Sequence, residues 1–427
     1  MKIIKKIRKK RRKLIRRFFK SPIKKRLAQY SKTHPRFRKC WKKILYTKRR
    51  IYYWWRGLGV TPDEKTVVFN SFNGKTYGCS PKAVYEYMLT QDEFKDWTFI
   101  WAFKNAKKHR FLEENPNTIV VKQTARVYEK KLIRAKYWIT NYRVPDHVWP
   151  QKDQVYVQCW HGTPLKRLGY DLETSENAID SIADIRKKYA MDAEKFNYIL
   201  SPSGFASEKF TSAWNLKETK MEDKVMEIGY PRNDFLINHT QEDIRMIKEK
   251  LEIPEDKKVI LYAPTWRDNQ HEAGTGFTYD LNVDFDALRQ ELGDEYVILF
   301  RVHYLVASKF SFDDYEGFIY NVSNYDDINH LYLIADLLIT DYSSVFFDYG
   351  ILKKPMLFYM YDLEDYKDSI RGFYFGIDKL PGKIITKEEE LPDAIRDSID
   401  NFVYDDKYRE FNETFSKRKM VRQAGVL

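Results

Sequence analysis

Acidic side chains are missing from the first 60 residues of this 427-residue chain, in which the first aspartate or glutamate is Asp63. The same segment contains 25 of the 75 lysines and arginines, which leaves 50 basic residues against all 61 acidic ones in the rest of the chain. The formal net charge of +14 therefore comes from the amino-terminal segment alone. A long run of one sign predicts an interaction arm that meets an anionic partner.

Long apolar runs are also missing, since no stretch of about 18 uncharged apolar residues occurs and a spanning helix is not expected. The arm has no continuous apolar core between its charges, so we expect no secretory signal. The cysteines are few and widely separated, at Cys40, Cys79 and Cys159. This indicates a reducing compartment and excludes a metal site of the CxxC type. With 43% hydrophobic and 16% aromatic residues, the chain has enough apolar mass for buried cores.

Apolar residues recur at helical spacing among the cations of the arm until a Ser-Pro pair at 21–22, which predicts a basic amphipathic helix. Aromatic residues follow at Trp41 and at 52–55, and such rings beside cations suit a membrane interface. Each basic side chain near an anionic leaflet gains about 1 kcal/mol. We therefore expect residues 1–60 to associate with an anionic membrane surface. A nucleic-acid-binding tail and a solvated arm remain alternatives, although no nucleic-acid partner is expected.

The body of the chain alternates between strand-like and helical runs, which is typical of parallel sheets with helices on both faces. Strand-like runs lie at 67–72, 97–103, 118–121, 137–141, 155–160 and 198–201, and then at 259–263, 296–302, 318–322, 337–340 and 355–359. A polar helical segment at 241–251 separates the two series. We predict an α/β fold with two doubly wound Rossmann-like domains, residues 61–236 and 237–427, which face each other across a cleft beside the arm of residues 1–60.

One histidine, His161, directly follows the apolar run at 155–160. Gly162 and Pro164 stop the strand there, so the imidazole is expected at a carboxyl strand end. Ligands of open α/β sheets bind in the crevice outside those ends. A lone histidine is more often structural than catalytic, and this motif alone leaves both roles open.

Polar residues close two predicted strands of the second half as well. Arg301 and His303 end one strand, and Asp341, Ser343 and Ser344 end another just before a helix-like run. The serines are expected to cap that helix, whose free amides and positive dipole end attract phosphate. The alternative is that Asp341 and the serines only cap a helix. Both clusters together predict a site for an anionic ligand.

Four motifs in order now carry a family resemblance: WHGTPLK at 160–166, YAPTWR at 262–267, RVH at 301–303 and TDYSSV at 340–345. Together they resemble the CDP-glycerol glycerophosphotransferase family of wall teichoic acid synthesis. The resemblance runs from about residue 65 to about residue 400 and includes SFNGK at 71–75 and CSPKA at 79–83. It implies a two-domain glycosyltransferase-B fold and transfer of a polyol phosphate from a CDP-polyol to a lipid-linked acceptor, with release of CMP.

Such a transfer needs a base for the acceptor hydroxyl and positive groups for the donor pyrophosphate. A neutral histidine suits the first task near pH 7, so we predict His161 as the base, with His303 as the second catalytic candidate. The substrate-binding candidates are Lys166, Arg167, Thr265, Arg267, Arg301, Asp341, Ser343 and Ser344. Solvation is the alternative for Lys166 and Arg167, and Asp341 has the alternative of holding its own turn.

No metal and no cofactor are predicted, because the acidic pair at 284–286 leads into a helix-like run and the cations can stabilise the phosphate charge. The expected partners are CDP-glycerol or CDP-ribitol and a lipid-linked acceptor, at the cytoplasmic face of the cell membrane with peripheral attachment. A nucleotide-sugar glycosyltransferase of the same fold and a nucleic-acid-binding scaffold are the rival functions. The sequence does not separate glycerol from ribitol donors, or priming from polymerisation.

Overall fold

The computed structural model describes residues 30, 34–173, 181–265, 271–272, 276–277, 283–302, 312–363 and 372–416. The chain divides into two compact units. The first comprises Met1–Val60 with Pro145–Trp149, and the second comprises Thr61–Val144 with Pro150–Leu427.

The described part of the first unit contains one long helix, α1, at Pro35–Gly57. Proline opens this helix, where its missing N–H needs no intrahelical partner. The sequence predicted a basic helical arm, and residues 35–57 are helical; the helix expected before the Ser-Pro pair at 21–22 lies outside the described residues. Among the helices that the structure describes, none is long and apolar enough to cross a membrane.

The second unit contains two parallel sheets. The first has the strand order β3-β2-β1-β4-β5-β6-β7. Its strands are β1 Asp63–Asn70, β2 Thr98–Phe103, β3 Thr118–Lys122, β4 Ala135–Thr140, β5 Val155–Gln158, β6 Tyr198–Ser201 and β7 Val225–Glu227. Its helices are α2 Cys79–Leu89, α3 Ala125–Arg134, α4 Ile182–Lys195 and α5 Gly204–Ala213, and α6 Asp234–Asn238 and α7 Gln241–Lys250 follow.

The second sheet has the order β12-β11-β8-β13-β14-β15. Its strands are β8 Lys258–Tyr262, β11 Tyr296–Phe300, β12 Ile319–Asn321, β13 Leu337–Thr340, β14 Met356–Tyr359 and β15 Lys383–Ile385, and β9 His271–Glu272 pairs with β10 Gly276–Phe277 in a separate antiparallel ribbon. The helices are α8 Phe285–Leu292, α9 Ile328–Ile334, α10 Val345–Tyr349, α11 Leu391–Asp400 and α12 Asp406–Phe415.

Burial explains why the central strands are almost uninterrupted apolar runs. All five residues of β11 and all four of β13 are buried, as expected for parallel strands covered on both faces. In each sheet the strand order reverses once, between β1 and β4 in the first and between β8 and β13 in the second. These reversals are topological switch points, where the crevice outside the strand ends accepts ligands.

The predicted two-sheet α/β fold is confirmed, with small differences at strand ends. The sequence missed β7 and β15, three-residue edge strands that each include a charged residue, and the two-residue strands β9 and β10. The run predicted at 155–160 ends early, at Gln158, because Trp160 adopts a left-handed backbone conformation. Since both sheets belong to one compact unit, the domain boundary near residue 237 stays a prediction.

Candidate active site

The backbone turns sharply just before His161. The amide of Cys159 still donates to the carbonyl of Thr140 on β4 at 2.7 Å, but Trp160 follows with φ of 51°. The side chain of Gln158 stabilises this turn by accepting the Trp160 amide at 3.0 Å. A left-handed tryptophan costs conformational energy that surrounding contacts must offset, and such strain concentrates at functional sites. The turn takes the next residue, His161, out of the sheet at the carboxyl end of β5.

The imidazole of His161 is held by one hydrogen bond and two rings. Its Nδ1 lies 3.1 Å from the carbonyl oxygen of Asn141, the residue that follows β4. A carbonyl oxygen can only accept, so Nδ1 carries the proton and the neutral ring has its lone pair on Nε2. The rings of Trp160 and Phe72 lie with their centroids 4.5 and 6.1 Å from the imidazole. The strand ends of β1, β4 and β5 thus fix one tautomer, the one that a general base needs at Nε2.

The surroundings of His161 favour its neutral form. Burial against the protein lowers the pKa of His161, the positive charge of Arg232 lowers it further, and the hydrogen bond to Asn141 opposes both effects. The ring is therefore neutral at pH 7, in a residue that is exposed to solvent as a whole.

Gly162 brings the histidine loop against the second sheet's side of the site. A Cβ atom on Gly162 would lie 2.8 Å from the hydroxyl oxygen of Ser344, so a larger residue would push that serine away. The Gly162 carbonyl accepts the hydroxyl of Tyr230 at 3.1 Å. Glycine permits this close approach, and its φ is not in the left-handed region. Ser344 thus lies beside the residue that follows His161, although the two were predicted from distant parts of the sequence.

The predicted helix cap does not form. Ser344 occupies the position before α10, but its side chain makes no capping hydrogen bond, and the helix has only five residues. The Ser344 hydroxyl lies against Gly162 instead of against the helix amides. Ser343 precedes it and is half-buried. The serines thus lie beside the histidine loop, without the long capped helix that the phosphate argument assumed.

Arg301 lies at the end of β11, as predicted, but its side chain contacts the backbone. One guanidinium nitrogen donates to the carbonyls of Val322 and Tyr325, both at 2.9 Å. Burial lowers the pKa of this guanidinium from its ordinary value, although an arginine stays charged at any physiological pH. Arg301 therefore restrains the loop after β12. Its guanidinium also places a positive charge at the carboxyl end of β11.

Asp341 and Thr265 meet at the switch point of the second sheet. One carboxylate oxygen of Asp341 accepts the backbone amides of Thr265 at 2.8 Å and of Tyr342 at 2.6 Å. Asp341 is only 2% exposed. Among the roles considered from the sequence, this geometry matches the alternative in which the carboxylate holds its own turn, and it also fixes the loop after β8.

Lys166 and Arg167 form a short antiparallel connection rather than a free basic patch. Lys166 pairs with Phe373 in an isolated bridge, and the amide of Arg167 donates to the carbonyl of Gly372 at 3.0 Å. The Arg167 guanidinium forms an ion pair with Glu173. The other two predicted residues, His303 and Arg267, lie outside the described residues.

Sequence reasoning missed a buried ion pair next to this site. Arg232 donates through Nη2 to Asp348 at 2.7 Å, and the two side chains are only 5% and 9% exposed. The string GYPRND at 229–234 gave a partial signal, because its glycine has φ of 89° and marks a tight turn. The partner could not be identified from the sequence, since Asp348 follows 116 residues later.

Two cavities lie near this region, but neither is centred on His161. The larger one, about 690 Å³, includes Thr163 and Asp348 in its wall, and the smaller one, about 370 Å³, includes Arg232 and Cys79. We locate the site by the strand ends, because a solvent-open crevice does not enclose a large volume. Within the described ranges, no group of three or more His, Cys, Asp or Glu side chains is arranged to hold a metal ion. Metal-independent chemistry stays a prediction.

The family model described as CDP-glycerol:poly(glycerophosphate) glycerophosphotransferase matches residues 56–422. The chain belongs to this family. The glycerophosphotransferase assignment confirms the resemblance carried by the four motifs, and the match covers both sheets.

Individual relatives of this glycerophosphotransferase-family chain agree. It is 43% identical over 334 residues to the teichoic acid poly(glycerol phosphate) polymerase of Bacillus subtilis (strain 168), covering 78% of this chain but only 44% of that protein. It is 40% identical to the teichoic acid glycerol-phosphate transferase of Staphylococcus aureus (strain NCTC 8325 / PS 47), covering 81% and 87%. A solved structure of the wall teichoic acid polymerase TagF superposes with a TM-score of 0.78 at 36% identity, over 95% of this chain and 96% of that one. The chain thus spans less than half of the B. subtilis relative.

Proposed function

We propose that this protein transfers glycerol phosphate from CDP-glycerol to a hydroxyl of a lipid-linked teichoic acid acceptor and releases CMP. The observation that carries the proposal is the geometry of His161. Its Nδ1 is fixed by the Asn141 carbonyl, its lone pair is therefore on Nε2, and its loop lies against Ser344. A general base with a defined tautomer beside hydroxyl donors is what attack by a hydroxyl on a phosphate requires.

In the proposed reaction, the acceptor hydroxyl loses its proton to Nε2 of His161 as its oxygen attacks the phosphorus that bears glycerol. The bond from this phosphorus to the bridging oxygen breaks, and CMP leaves with that oxygen and its electron pair. Charge builds on the leaving phosphate, and fixed donors stabilise it. We assign this task to Ser343, Ser344 and Arg301, which belong to the second sheet's side of the site.

Glycerol is preferred over ribitol as the polyol because the relatives described above are named for glycerol phosphate. Transfer of ribitol phosphate uses the same chemistry, with a longer polyol. A nucleotide-sugar glycosyltransferase of the same fold would instead leave the whole nucleoside diphosphate as product. The released nucleotide therefore separates phosphate transfer from sugar transfer.

The test is an assay of nucleotide release with a lipid-linked disaccharide acceptor and, in separate reactions, CDP-glycerol, CDP-ribitol and a UDP-sugar. We expect CMP with CDP-glycerol, and an acceptor whose mass rises by one or more glycerol phosphate units. A reaction without acceptor measures donor hydrolysis and serves as the control. Preference for CDP-ribitol would change the donor, and release of UDP with a glycosylated acceptor would contradict phosphate transfer.

We also propose that the first unit attaches the protein to the cytoplasmic face of the membrane as a peripheral contact. In α1, Ile51, Trp54 and Trp55 are 58%, 57% and 64% exposed among many cations. Arg50 lies over the ring of Trp149, 5.1 Å from its centroid, inside the same unit. Exposed tryptophans beside positive charge gain free energy at lipid headgroups, where the rings are half desolvated and the cations meet anionic lipid.

Sedimentation with lipid vesicles tests this attachment. A Trp54→Ser/Trp55→Ser double variant should bind anionic vesicles less than the parent at low salt, whereas Phe111→Ser, which removes a similarly exposed ring (53%) from the second unit, should bind as the parent does. Binding of the parent should also weaken in zwitterionic vesicles and at high salt. Tight binding to duplex DNA with no vesicle binding would support the nucleic-acid alternative instead.

A further inference from the structure

A short segment after β7 contacts both sides of the candidate active site. We call residues 230–233 the bracket. Within it, Nη2 and Nε of Arg232 donate to one carboxylate oxygen of Asp348 at 2.7 and 3.2 Å, and the side-chain amide of Asn233 donates to the other oxygen at 3.0 Å. Both carboxylate oxygens of the buried Asp348 therefore accept hydrogen bonds.

This ion pair fixes one point of α10, in addition to the core packing of Phe346 and Phe347. Asp348 is on α10, four residues after Ser344, so the start of the helix follows the position of the carboxylate. Burying two charges is costly, and a buried pair often contributes little to net stability. Its geometry is nevertheless specific, because three hydrogen bonds hold one carboxylate from two adjacent residues. The arrangement is better suited to fixing Ser344 in place than to stabilising the fold.

The other end of the bracket holds the histidine loop. The ring of Tyr230 lies under the Arg232 guanidinium, 4.3 Å from centroid to carbon, and Tyr230 is fully buried. Its hydroxyl donates to the carbonyl of Gly162 at 3.1 Å, and Gly162 is the residue that touches Ser344. The loop that contains His161 and Gly162 and the helix start at Ser344 are thus held by neighbouring residues of one segment.

The bracket itself is anchored from two further helices. Nη1 of Arg232 donates to the sulfur of Cys79 at the start of α2, at 3.2 Å. The side-chain amide of Asn329 on α9 donates to the Arg232 carbonyl. These contacts hold the Arg232 side chain and backbone at the same time.

We propose that the bracket is a positioning element, in which Tyr230 and the Arg232–Asp348 pair set the spacing between His161 and Ser344. Its kinetic consequence rests on the proposed function. Misplacement of a reacting group by about 1 Å can cost about 10²-fold in rate, so a loosened bracket should affect turnover more than binding. None of the bracket residues needs to touch the substrate for this effect.

Tyr230→Phe is the sharpest test, because replacing Arg232 would leave the buried carboxylate of Asp348 unpaired and endanger the fold. The variant keeps the ring and removes only the hydroxyl that holds Gly162. Tyr408→Phe is the matched control, since Tyr408 is also buried (1% exposed) and its hydroxyl donates to a backbone carbonyl, that of Lys354, at 2.7 Å. We expect kcat for CMP release to fall about tenfold to 10²-fold in Tyr230→Phe, with KM for CDP-glycerol within about threefold. In Tyr408→Phe, kcat should stay within about twofold of the parent value, although its loss of thermal stability should be comparable to that of Tyr230→Phe.

Hydrogen exchange monitored by mass spectrometry makes the test independent of turnover. In Tyr230→Phe, we expect faster exchange confined to peptides that cover 159–166 and 342–349, with no such change in Tyr408→Phe. An unchanged kcat in Tyr230→Phe, or an equal loss in Tyr408→Phe, would overturn the positioning role. If the parent releases no CMP, the proposed function fails by itself, and exchange then decides: local loosening supports the bracket, and uniform or absent change overturns it.

Discussion

The two sides of the candidate site use similar polar residues in different ways. At the end of β5, only one nitrogen of His161 is hydrogen-bonded to a residue that the structure describes, at the Asn141 carbonyl, and the residue is exposed to solvent. At the ends of β11 and β13, Arg301 donates to two backbone carbonyls and Asp341 accepts two backbone amides. On the first side the histidine makes one hydrogen bond to the backbone, whereas on the second side the charged residues expected to bind substrate each bond two backbone groups.

This difference has a simple physical basis. Loops at a switch point contain backbone groups that a sheet does not pair, and buried groups of this kind need partners. A carboxylate or guanidinium nearby satisfies several of them at once. The imidazole of His161 satisfies only one, the carbonyl of Asn141. A charged residue at a strand end is therefore weaker support for ligand binding than a histidine in the same place.

The largest effect should come from the reactive side. We expect His161→Ala and His161→Gln to keep the fold and the affinity for CDP-glycerol but to lose CMP release by about 10² to 10⁴-fold, because neither side chain takes a proton. His239→Gln is the matched control, since Nδ1 of His239 also donates to a backbone carbonyl, that of Leu236, at 2.9 Å. Turnover by a folded His161→Ala protein close to that of the parent would remove the base role, which would then pass to His303.

Variants of Arg301 test whether this residue binds the donor directly or only holds the loop after β12 in place. Arg301→Ala should weaken CDP-glycerol binding by about tenfold or more, since hydrogen bonds to a charged group contribute about 1.5 to 3 kcal/mol. Arg301→Lys sharpens the question, because lysine keeps the charge but lacks the planar group that bridges two carbonyls. If donor binding depends on the loop that Arg301 holds, calorimetry should find weak CDP-glycerol binding in both variants. Retained affinity in Arg301→Lys would favour a direct charge contact, and Arg289→Lys, which alters another arginine bonded to a carbonyl, should have no effect on binding.

Replacing Asp341 should lower the free energy of unfolding, and any effect on CMP release should be secondary. Asp341→Ala leaves the amides of Thr265 and Tyr342 without their acceptor, and we expect a loss of about 1 to 3 kcal/mol in the free energy of unfolding. Asp336→Ala is a matched control at the other end of β13, where the carboxylate accepts the Val259 amide at 2.8 Å. Denaturant unfolding should find both destabilised, and CMP release by the folded fraction should fall only for Asp341→Ala. Equal turnover in the two would mean that the loop after β8 does not contact substrate.

The smallest effect concerns pH. Because burial and Arg232 lower the pKa of His161, the imidazole should remain a neutral base below its ordinary pKa of about 6.5. We expect kcat/KM to stay level as the pH falls through 6.5 and to decrease only at lower pH. The unfolded chain binds a proton at the ordinary pKa, so the contribution of His161 to stability decreases as the pH falls from about 6.5 towards the lowered pKa, and circular dichroism at each pH must separate unfolding from protonation. An acid limb centred at 6.5 or above would contradict the lowered pKa.

Much of the fold was predictable because its signals are local. Apolar runs bounded by polar or helix-forming segments identified eleven strands. The strands β7 and β15 were missed because each has only three residues and one of the three is charged. The same local reasoning predicted capping by Ser344, which the structure replaces with a contact to Gly162, a residue of the first sheet's loop.

The sequence by itself determined that two parallel sheets form and that a histidine stands at a strand end, because hydrophobic period and chain-breaking residues act over a few positions. Only the tertiary structure decided which polar atoms are consumed by backbone partners, and which charged residue lies next to His161. The bracket illustrates the reason: Arg232 and Asp348 are 116 residues apart, and their pairing exists only once burial removes water from both. Burial is a property of the whole assembly of sheets and helices, which no short stretch of sequence contains.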